Sequence, residues 1–341
     1  MSTTNSPDSD VLPGSSAGAG RRAGRSGRLA TLWEFSGRYG LVGAWFVVGL
    51  IFSLASPKLF LSTANVQNIF DSQAVLLVLT IGLLFPLTVG CFDASIAGIL
   101  SVALMIVGRL NVTEGMPVLL AIAVALAVGV VIGLLNALVV IGFGVDSFVA
   151  TLGMGTLLLG VAMGVSDLTL TGISPGLVSI VRADQLGVQT SFVCGLVLTV
   201  AAWYVLRFTP AGRYMQFIGA NREVARLSGV RVARVQVVAY VISGLVAAFA
   251  GVLLAGVLGA ADPNAGTSFL LPPFAAAFLG ATAIRPGRFN AWGAFIAVYF
   301  LVTGISGLQI VGISGWVEQA FYGAALLVAV SLSRLSARSR R

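Results

Sequence analysis

Chemistry needs nucleophiles, acids, bases, metal ligands or phosphate cradles, and this chain of 341 residues is nearly bare of them. Histidine is absent, which removes the commonest general base and metal ligand. The two cysteines, Cys91 and Cys194, sit in apolar segments at no motif spacing and read as packing residues. The single lysine, Lys58, follows Pro57 and lies in no glycine-rich loop, so a G-x-x-x-x-G-K-S/T phosphate loop does not exist here. No nucleophile is paired with a base, so an intramembrane enzyme finds no support. If ATP drives this protein, another subunit hydrolyses it.

Three polar features remain. Asp93 stands at a break between two apolar runs, with Ser95 two residues on, and a carboxylate there costs several kcal/mol in lipid unless it is paired or hydrated. It reads either as the cap of the helix that follows or as part of a gate. Asn136, inside an apolar run, can line a path or make an interhelical hydrogen bond. The third feature is the island from Arg207 to Arg234, which sets six arginines and one glutamate between two long apolar segments. Thr209 can cap a helix whose first position is Pro210. A second start lies at Asn221, with Glu223 in the first turn and Gly229 placed to end the helix left-handed. Val224 and Leu227 are expected to share a face with Ala225 and Ser228, giving a blunt amphipathic helix flanked by Arg222 and Arg226. A passive positive loop needs neither caps nor an apolar face, whereas a helix that docks in a groove needs both.

The elements that position these residues follow from composition. Hydrophobic residues make up 57% of the chain and charged residues 9%, against about 25% charged in a soluble domain. A span takes about 20 apolar residues, so the fold class expected is all-α, a polytopic membrane helix bundle of about ten transmembrane helices with cytoplasmic termini. The spans are placed at 39–56, 73–91, 95–110, 115–141, 147–165, 188–206, 236–260, 269–285, 291–311 and 316–333. Spans two and three form a broken pair around Asp93, and residues 57–72 read as an amphipathic stretch in the outer interface. Residues 1–38, rich in Ser, Gly, Ala and Arg without a cleavage signal, are expected to be a retained, disordered cytoplasmic tail. Residues 39–333 are expected to form a single transmembrane domain, with a cytoplasmic loop at 207–235, and residues 334–341 a basic cytoplasmic tail. With ten spans and the amino terminus inside, 17 of the 20 basic residues fall on the cytosolic side, leaving out only Lys58, Arg109 and Arg182. The net charge of +8 is thereby explained without nucleic acid. Gly129 and Gly133, and Gly160 and Gly164, sit four apart and read as close-packing sites between helices.

The run Thr209-Pro-Ala-Gly-Arg-Tyr-Met-Gln-Phe-Ile-Gly-Ala-Asn-Arg-Glu-Val-Ala-Arg-Leu-Ser-Gly-Val230 resembles the cytoplasmic coupling loop of ABC-importer permeases of the ribose and simple-sugar type, T-x-x-G-R-x-x-x-A-I-G-x-N-x-x-A-A-x-x-S-G-I. Gly212, Arg213, Ile218, Gly219, Asn221, Ala225, Ser228 and Gly229 match it position by position, and the candidate ATPase-coupling set is Gly212, Arg213, Gly219, Asn221, Glu223, Ala225, Arg226, Ser228 and Gly229. Further echoes run in order from about 60 to 333. Gly90-Cys-Phe-Asp-Ala-Ser-Ile-Ala97 looks like G-G-I-D-L-S-V-G, keeping Gly90, Asp93 and Ser95. Ser147-Phe-Val-Ala-Thr-Leu-Gly153 resembles P-F-I-x-T-L-G, with Asp146 and Ser147 where a proline pair is usual. The segment Gly280 to Gly293 is similar to G-G-T-S-L-x-G-G-x-G-x-x-x-G, with Pro286 and Phe289 in place of glycines.

The resemblance implies a dimeric permease, paired with a copy or a paralogue, in the bacterial cytoplasmic (inner) membrane. It implies an ABC ATPase subunit, which binds ATP and Mg, and an extracytoplasmic solute-binding protein; the permease itself holds no cofactor. Asp93, Ser95, Asn136 and Thr151 are the candidates for the translocation path or gate. The spans offer few sugar-binding groups, Asn136, Gln309 and some hydroxyls, which suits an importer whose binding protein does the selecting. The other readings are a permease for branched-chain amino acids or nucleosides and an ion-coupled secondary transporter built on Asp93.

Overall fold

The computed structural model describes residues 38–185, 187–313 and 315–338, with the side chains of 185 and 332–338 also left aside. The expected amino-terminal tail, with Arg21, Arg22, Arg25 and Arg28, therefore lies outside the described residues, as do Arg340 and Arg341. Eight helices are long and apolar enough to cross a membrane. They are α1 (Arg38–Ala55); α3 (Thr63–Ser72) running on into α4 (Ala74–Thr88); α5 (Ile96–Gly108) with a π turn at Arg109–Thr113; α6 (Val118–Ala137) with a π turn at Leu138–Gly142; α7 (Ser147–Val165); α9 (Thr190–Phe208); α12 (Val232–Leu258); and α14 (Ala291–Ile310). Two shorter apolar helices stand where the eighth and tenth spans were placed: Ala265–Gly280, which contains α13 (Pro272–Gly280), and the apolar part of α15 (Trp316–Arg338). Four short helices complete the order: α2 (Pro57–Phe60), α8 (Pro175–Arg182), α10 (Pro210–Ala220) and α11 (Arg222–Leu227). Residues 334–338 of the expected basic tail continue α15.

The core is built on α4, α5 and α12. Every residue of α4 is buried and all of α5 but Ile106, so both read as apolar on every side, the pattern of a helix enclosed by others. The long α12 packs on α4, α5 and α6. In a membrane, water-driven apolar attraction is weak, and helices associate where small residues let backbones meet. A Cβ on Gly129 would lie 2.4 Å from the Ala248 Cβ, one on Gly133 2.6 Å from the Tyr240 carbonyl, and one on Gly244 2.3 Å from the Gly129 carbonyl. The Gly129/Gly133 expectation thus meets a real α6–α12 seam. Gly160 and Gly164 differ, because nothing among the described residues comes within 4 Å of the Cβ either would carry. The buried side of α7 runs through Thr151, Gly155, Leu158 and Ala162, leaving residues 160 and 164 on the open side.

Residues 57–72 were expected in the membrane interface. They are helical, but α3 packs against α14, where the Ser306 hydroxyl donates to Asn65 Oδ1 at 2.9 Å and the Tyr299 hydroxyl to the Phe70 carbonyl at 3.2 Å. Those buried partners, invisible to local sequence patterning, draw α3 into the bundle as the first turns of the second span. By contrast α1 is peripheral, held by the Trp45 indole donating to Thr303 Oγ1 at 2.9 Å and by Phe52 lying on Gly307. At the end of α12 remote from the 207–235 loop, Leu170–Thr171 (β1) pairs with Ala260–Ala261 (β4), and Asp184–Gln185 (β2) with Val188–Gln189 (β3). There the Arg182 guanidinium donates twice to the Val257 carbonyl, at 2.9 and 2.6 Å, placing a cation on the negative end of α12.

The α6–α12 seam yields a stability prediction. Gly244→Leu drives a branched side chain into the Gly129 backbone and is expected to destabilise the bundle by about 3 kcal/mol. Val197→Leu, on the exposed side of α9, is expected to leave stability within about 0.5 kcal/mol. Unfolding of the purified protein in detergent, followed by helical circular dichroism against added SDS, separates the two.

Candidate functional site

Two polar constructions adjoin each other at the loop-bearing end of the bundle. The first is the loop itself. Thr209 caps α10, its Oγ1 accepting from the Gly212 amide at 3.2 Å while donating to the Val205 carbonyl at 2.7 Å. Asn221 caps α11, its Oδ1 accepting from the Glu223 and Val224 amides at 3.1 and 3.0 Å. At the other end Gly229 adopts φ +82°, its amide donates to the Arg226 carbonyl at 3.0 Å, and the Val230 amide reaches the Ala225 carbonyl at 3.1 Å. These two bonds are the Schellman closure, which needs a left-handed residue and therefore favours glycine. A six-residue helix cannot stand alone in water. Capped at both ends, α11 is held as a defined stub.

The candidate coupling residues divide by direction. Gly212, Gly219 and Ala225 face the bundle: a Cβ on Gly212 would lie 2.2 Å from the Val205 carbonyl, one on Gly219 2.1 Å from the Thr88 carbonyl, and Ala225 is fully buried. Asn221 and Gly229 shape the helix ends, and the Ser228 hydroxyl donates back to the Val224 carbonyl at 2.9 Å. Arg213, Glu223 and Arg226 face outward, with Glu223 and Arg226 joined as an exposed ion pair. The expected apolar face is corrected in detail. Val224 and Leu227 are 46% and 78% exposed, whereas Ala225 turns to the opposite side, because one step along a helix rotates by about 100°. Val224 and Leu227 form an outward apolar ridge bordered by charge.

The second construction is the buried break between α4 and α5. Residues 89–95 are not helical, and Gly90 turns the chain at φ +77°. Buried backbone groups here have no water, so side chains must satisfy them. The Phe92 amide donates to Ser147 Oγ at 3.1 Å, the Ala94 amide to Thr151 Oγ1 at 2.9 Å, and the Tyr240 hydroxyl donates to the Phe92 carbonyl at 2.9 Å. Asp93 is fully buried and accepts three hydrogen bonds. The Ser95 amide and hydroxyl donate to Oδ1 at 3.1 and 2.6 Å, and the Ser243 hydroxyl donates to Oδ2 at 2.7 Å. Asn136 Nδ2 donates in turn to Ser95 Oγ at 2.7 Å.

Asp93, Ser95, Asn136 and Thr151 are thus drawn into one cluster, each at most 1% exposed, that ties α5, α6, α7 and α12 to the break. No guanidinium or ammonium pairs with Asp93 among the described ion pairs, so hydrogen bonds alone carry the carboxylate. Sequence reading missed Gln236, Tyr240 and Ser243, although their spacing of four and three in an otherwise apolar helix puts them on one face. Gln236 Nε2 donates to the Cys91 sulfur at 3.2 Å, and both cysteines are free thiols. No group of three or more potential metal ligands occurs among the described residues.

Known proteins resemble the chain across these same segments. The family described as branched-chain amino acid transport system / permease component matches residues 65–330, which spans both the break and the loop. The D-allose transport system permease protein AlsC of Escherichia coli (strain K12) is 28% identical, over 90% of this chain and 94% of that protein. The ribose import permease protein RbsC of Bacillus subtilis (strain 168) is 31% identical, over 85% of this chain and 90% of its own length. The autoinducer 2 import system permease protein LsrD of Photorhabdus laumondii is 28% identical, over 87% and 90% respectively. No solved structure matches the chain.

The cluster makes a specific prediction. Asp93→Leu removes the acceptor from Ser95 and Ser243 and is expected to cost about 3 kcal/mol, lowering the detergent melting temperature. Asp93→Asn keeps an acceptor oxygen and is expected to recover most of that loss. Equal melting of Asp93→Leu and the parent would mean the break does not depend on the carboxylate.

Proposed function

We propose a function that proceeds from one fact: the chain belongs to the branched-chain amino acid transport system / permease component family. It is the permease subunit of an ATP-driven ABC importer, and its solute is a monosaccharide or related sugar. It is a translocation subunit and not an enzyme, so ATP and Mg are the business of a separate ATPase. The sugar reading is supported by the relatives that cover most of both chains, which carry the names of ribose, D-allose and autoinducer 2 import permeases. The family's broader description keeps a branched-chain amino acid as the alternative solute class.

The observation that carries the coupling mechanism is the capped stub α11 with its exposed Val224–Leu227 ridge. We place the 207–235 loop on the cytosolic face of the bacterial inner membrane, with the ATPase against it and the extracytoplasmic solute-binding protein at the opposite end. The arginines of the loop favour that side. When the ATPases close, α11 moves as a rigid body and α10 passes the movement on, because Gly212 and Gly219 seat it without clearance on the ends of α9 and α4. The buried break then acts as the gate hinge. Asp93, Ser95, Asn136 and Thr151 hold its closed geometry, and the solute meets them only if the break opens. The second permease, a copy or a paralogue, packs in this reading on the open side of α7, where Val149, Gly153, Thr156 and Gly160 border an apolar groove.

Uptake into vesicles holding the permease, its ATPase and its binding protein tests the coupling. Gly229→Pro, which cannot adopt the left-handed φ, and Arg226→Glu, which turns the ion pair into a repulsion, are each expected to lower ATP-driven uptake at least tenfold at unchanged membrane levels. Normal uptake by both variants, or uptake driven by a pH gradient without the ATPase, overturns the reading. The pairing is tested separately. Gly160→Cys is expected to form a copper-catalysed cross-link between two copies, and Val197→Cys, on the exposed side of α9, is not.

A further inference from the structure

Beside the loop lies a cavity lined by none of the coupling or gate residues named above. It has a volume of about 310 Å3 and opens between the end of α9, α10, the start of α14 and the 281–290 turn. Trp203, Arg207, Gln216, Arg285, Asn290 and Trp292 line it, with no aspartate or glutamate among the described residues that do so. At its rim Arg288 Nη1 donates to Gln216 Oε1 at 3.3 Å, and the Ile284 amide donates to the Arg38 carbonyl at 2.8 Å, bringing the start of α1 alongside. Arg285 is thereby crowded. Burial first, then Arg207, Arg288 and Arg38, weaken its hold on its proton. The two ion pairs recorded among the described residues, Arg109–Glu114 and Glu223–Arg226, lie elsewhere. A half-enclosed set of guanidiniums without a carboxylate is self-repelling unless an anion completes it.

The turn that presents Arg285 is itself unusual. Ile284 has φ +60°, the one non-glycine positive φ among the described residues, and a β-branched side chain resists that conformation. Such strain persists where the surroundings over-determine it, and it clusters at ligand clamps. The walls identify the kind of anion. Trp203 and Trp292 meet edge to face at 6.5 Å, and Trp203 meets Phe208 at 5.2 Å. From this rim the exposed side chains Phe208, Tyr204, Val200 and Val197 run along one side of α9 away from the loop. Cations at the top, interfacial aromatic rings beside them and an apolar track below match the headgroup, glycerol and acyl chain of a membrane lipid.

We propose that this cavity binds the phosphodiester of an anionic phospholipid, gripped by Arg207 and Arg285, with an acyl chain along the exposed side of α9. A planar guanidinium suits that job because it can present two parallel N–H donors to phosphate oxygens. The inference takes from the proposed orientation only which leaflet the lipid belongs to, the cytoplasmic one. The headgroup chemistry stands whichever way the chain is inserted.

Native mass spectrometry of the full chain released from detergent tests this without any transport measurement, so its failure leaves the importer reading standing. With equimolar phosphatidylglycerol and phosphatidylcholine, the protein is expected to retain phosphatidylglycerol. The Arg207→Gln/Arg285→Gln double variant is expected to lose that retention at least fivefold. Arg285→Lys, which keeps the charge and loses the two-pronged geometry, should lose about twofold, and Arg226→Gln on α11 should match the parent. Detergent melting temperatures confirm that each variant is folded, and the lysine variant decides the matter if the double variant is not. Retention by the double variant equal to the parent's overturns the proposal. So does displacement of the lipid by millimolar inorganic phosphate, which marks a site for soluble anions, and so does unchanged lipid retention with loss of ATPase capture, which marks a protein contact.

Discussion

Residues 89–95 are non-helical backbone set inside a helical bundle, and the packed apolar side chains around them supply no hydrogen bonds. The partners are recruited from distant parts of the chain: Ser147 and Thr151 on α7, Tyr240 and Ser243 on α12, and Asn136 on α6 through Ser95. A carboxylate bearing three donors sits at the middle. Remove it and the donors of Ser95 and Ser243 lose their acceptor together, so the cost falls on the contacts between helices and not on one side chain. The arrangement of α5, α6, α7 and α12 around the end of α4 follows from the need to satisfy this one stretch.

The break is also where the surface of the protein meets its interior. Gly219 on α10 touches the carbonyl of Thr88, the last residue of α4, so the loop bears directly on the chain that leads to Asp93. On the other side of the break α12 carries Gln236, Tyr240 and Ser243 against it and, at 27 residues and a rise of about 1.5 Å each, extends from the loop to the far strands. A displacement at α11 therefore has two solid routes inward, α10 onto the break and α12 along its length. Neither passes through a soft side-chain contact, since the first is backbone on glycine and the second is a continuous helix.

Much of this was legible in the chain. The apolar runs announced the helices, and the caps at Thr209, Asn221 and Gly229 were readable because capping is local chemistry confined to a few consecutive residues. Asp93 and Asn136 stood out as polar residues in apolar runs, Ser95 and Thr151 came in through the motifs around them, and the fold brings the four together. What escaped was non-local. Ala225 could not be placed inside the bundle without knowing that α10 and α11 fold back on it, and α3 looked interfacial because its partners Ser306 and Tyr299 lie more than two hundred residues away. Gly160 and Gly164 carry the same spacing as Gly129 and Gly133, but spacing does not tell which side of a helix has a neighbour. Ser243 hides as an ordinary small residue until the carboxylate opposite it is known.

The glycine seams bear on how such a chain can vary over time. At Gly98, Gly129, Gly244 and Gly251 an added methyl group would fall within 2.7 Å of a neighbouring atom, and no amino acid is smaller. These positions have no conservative replacement, because every substitution there adds bulk. Changes of size are instead tolerated on the exposed sides of α1, α6 and α9, where a side chain meets no fixed wall, so the inner helix surfaces are the part of the sequence with the least freedom.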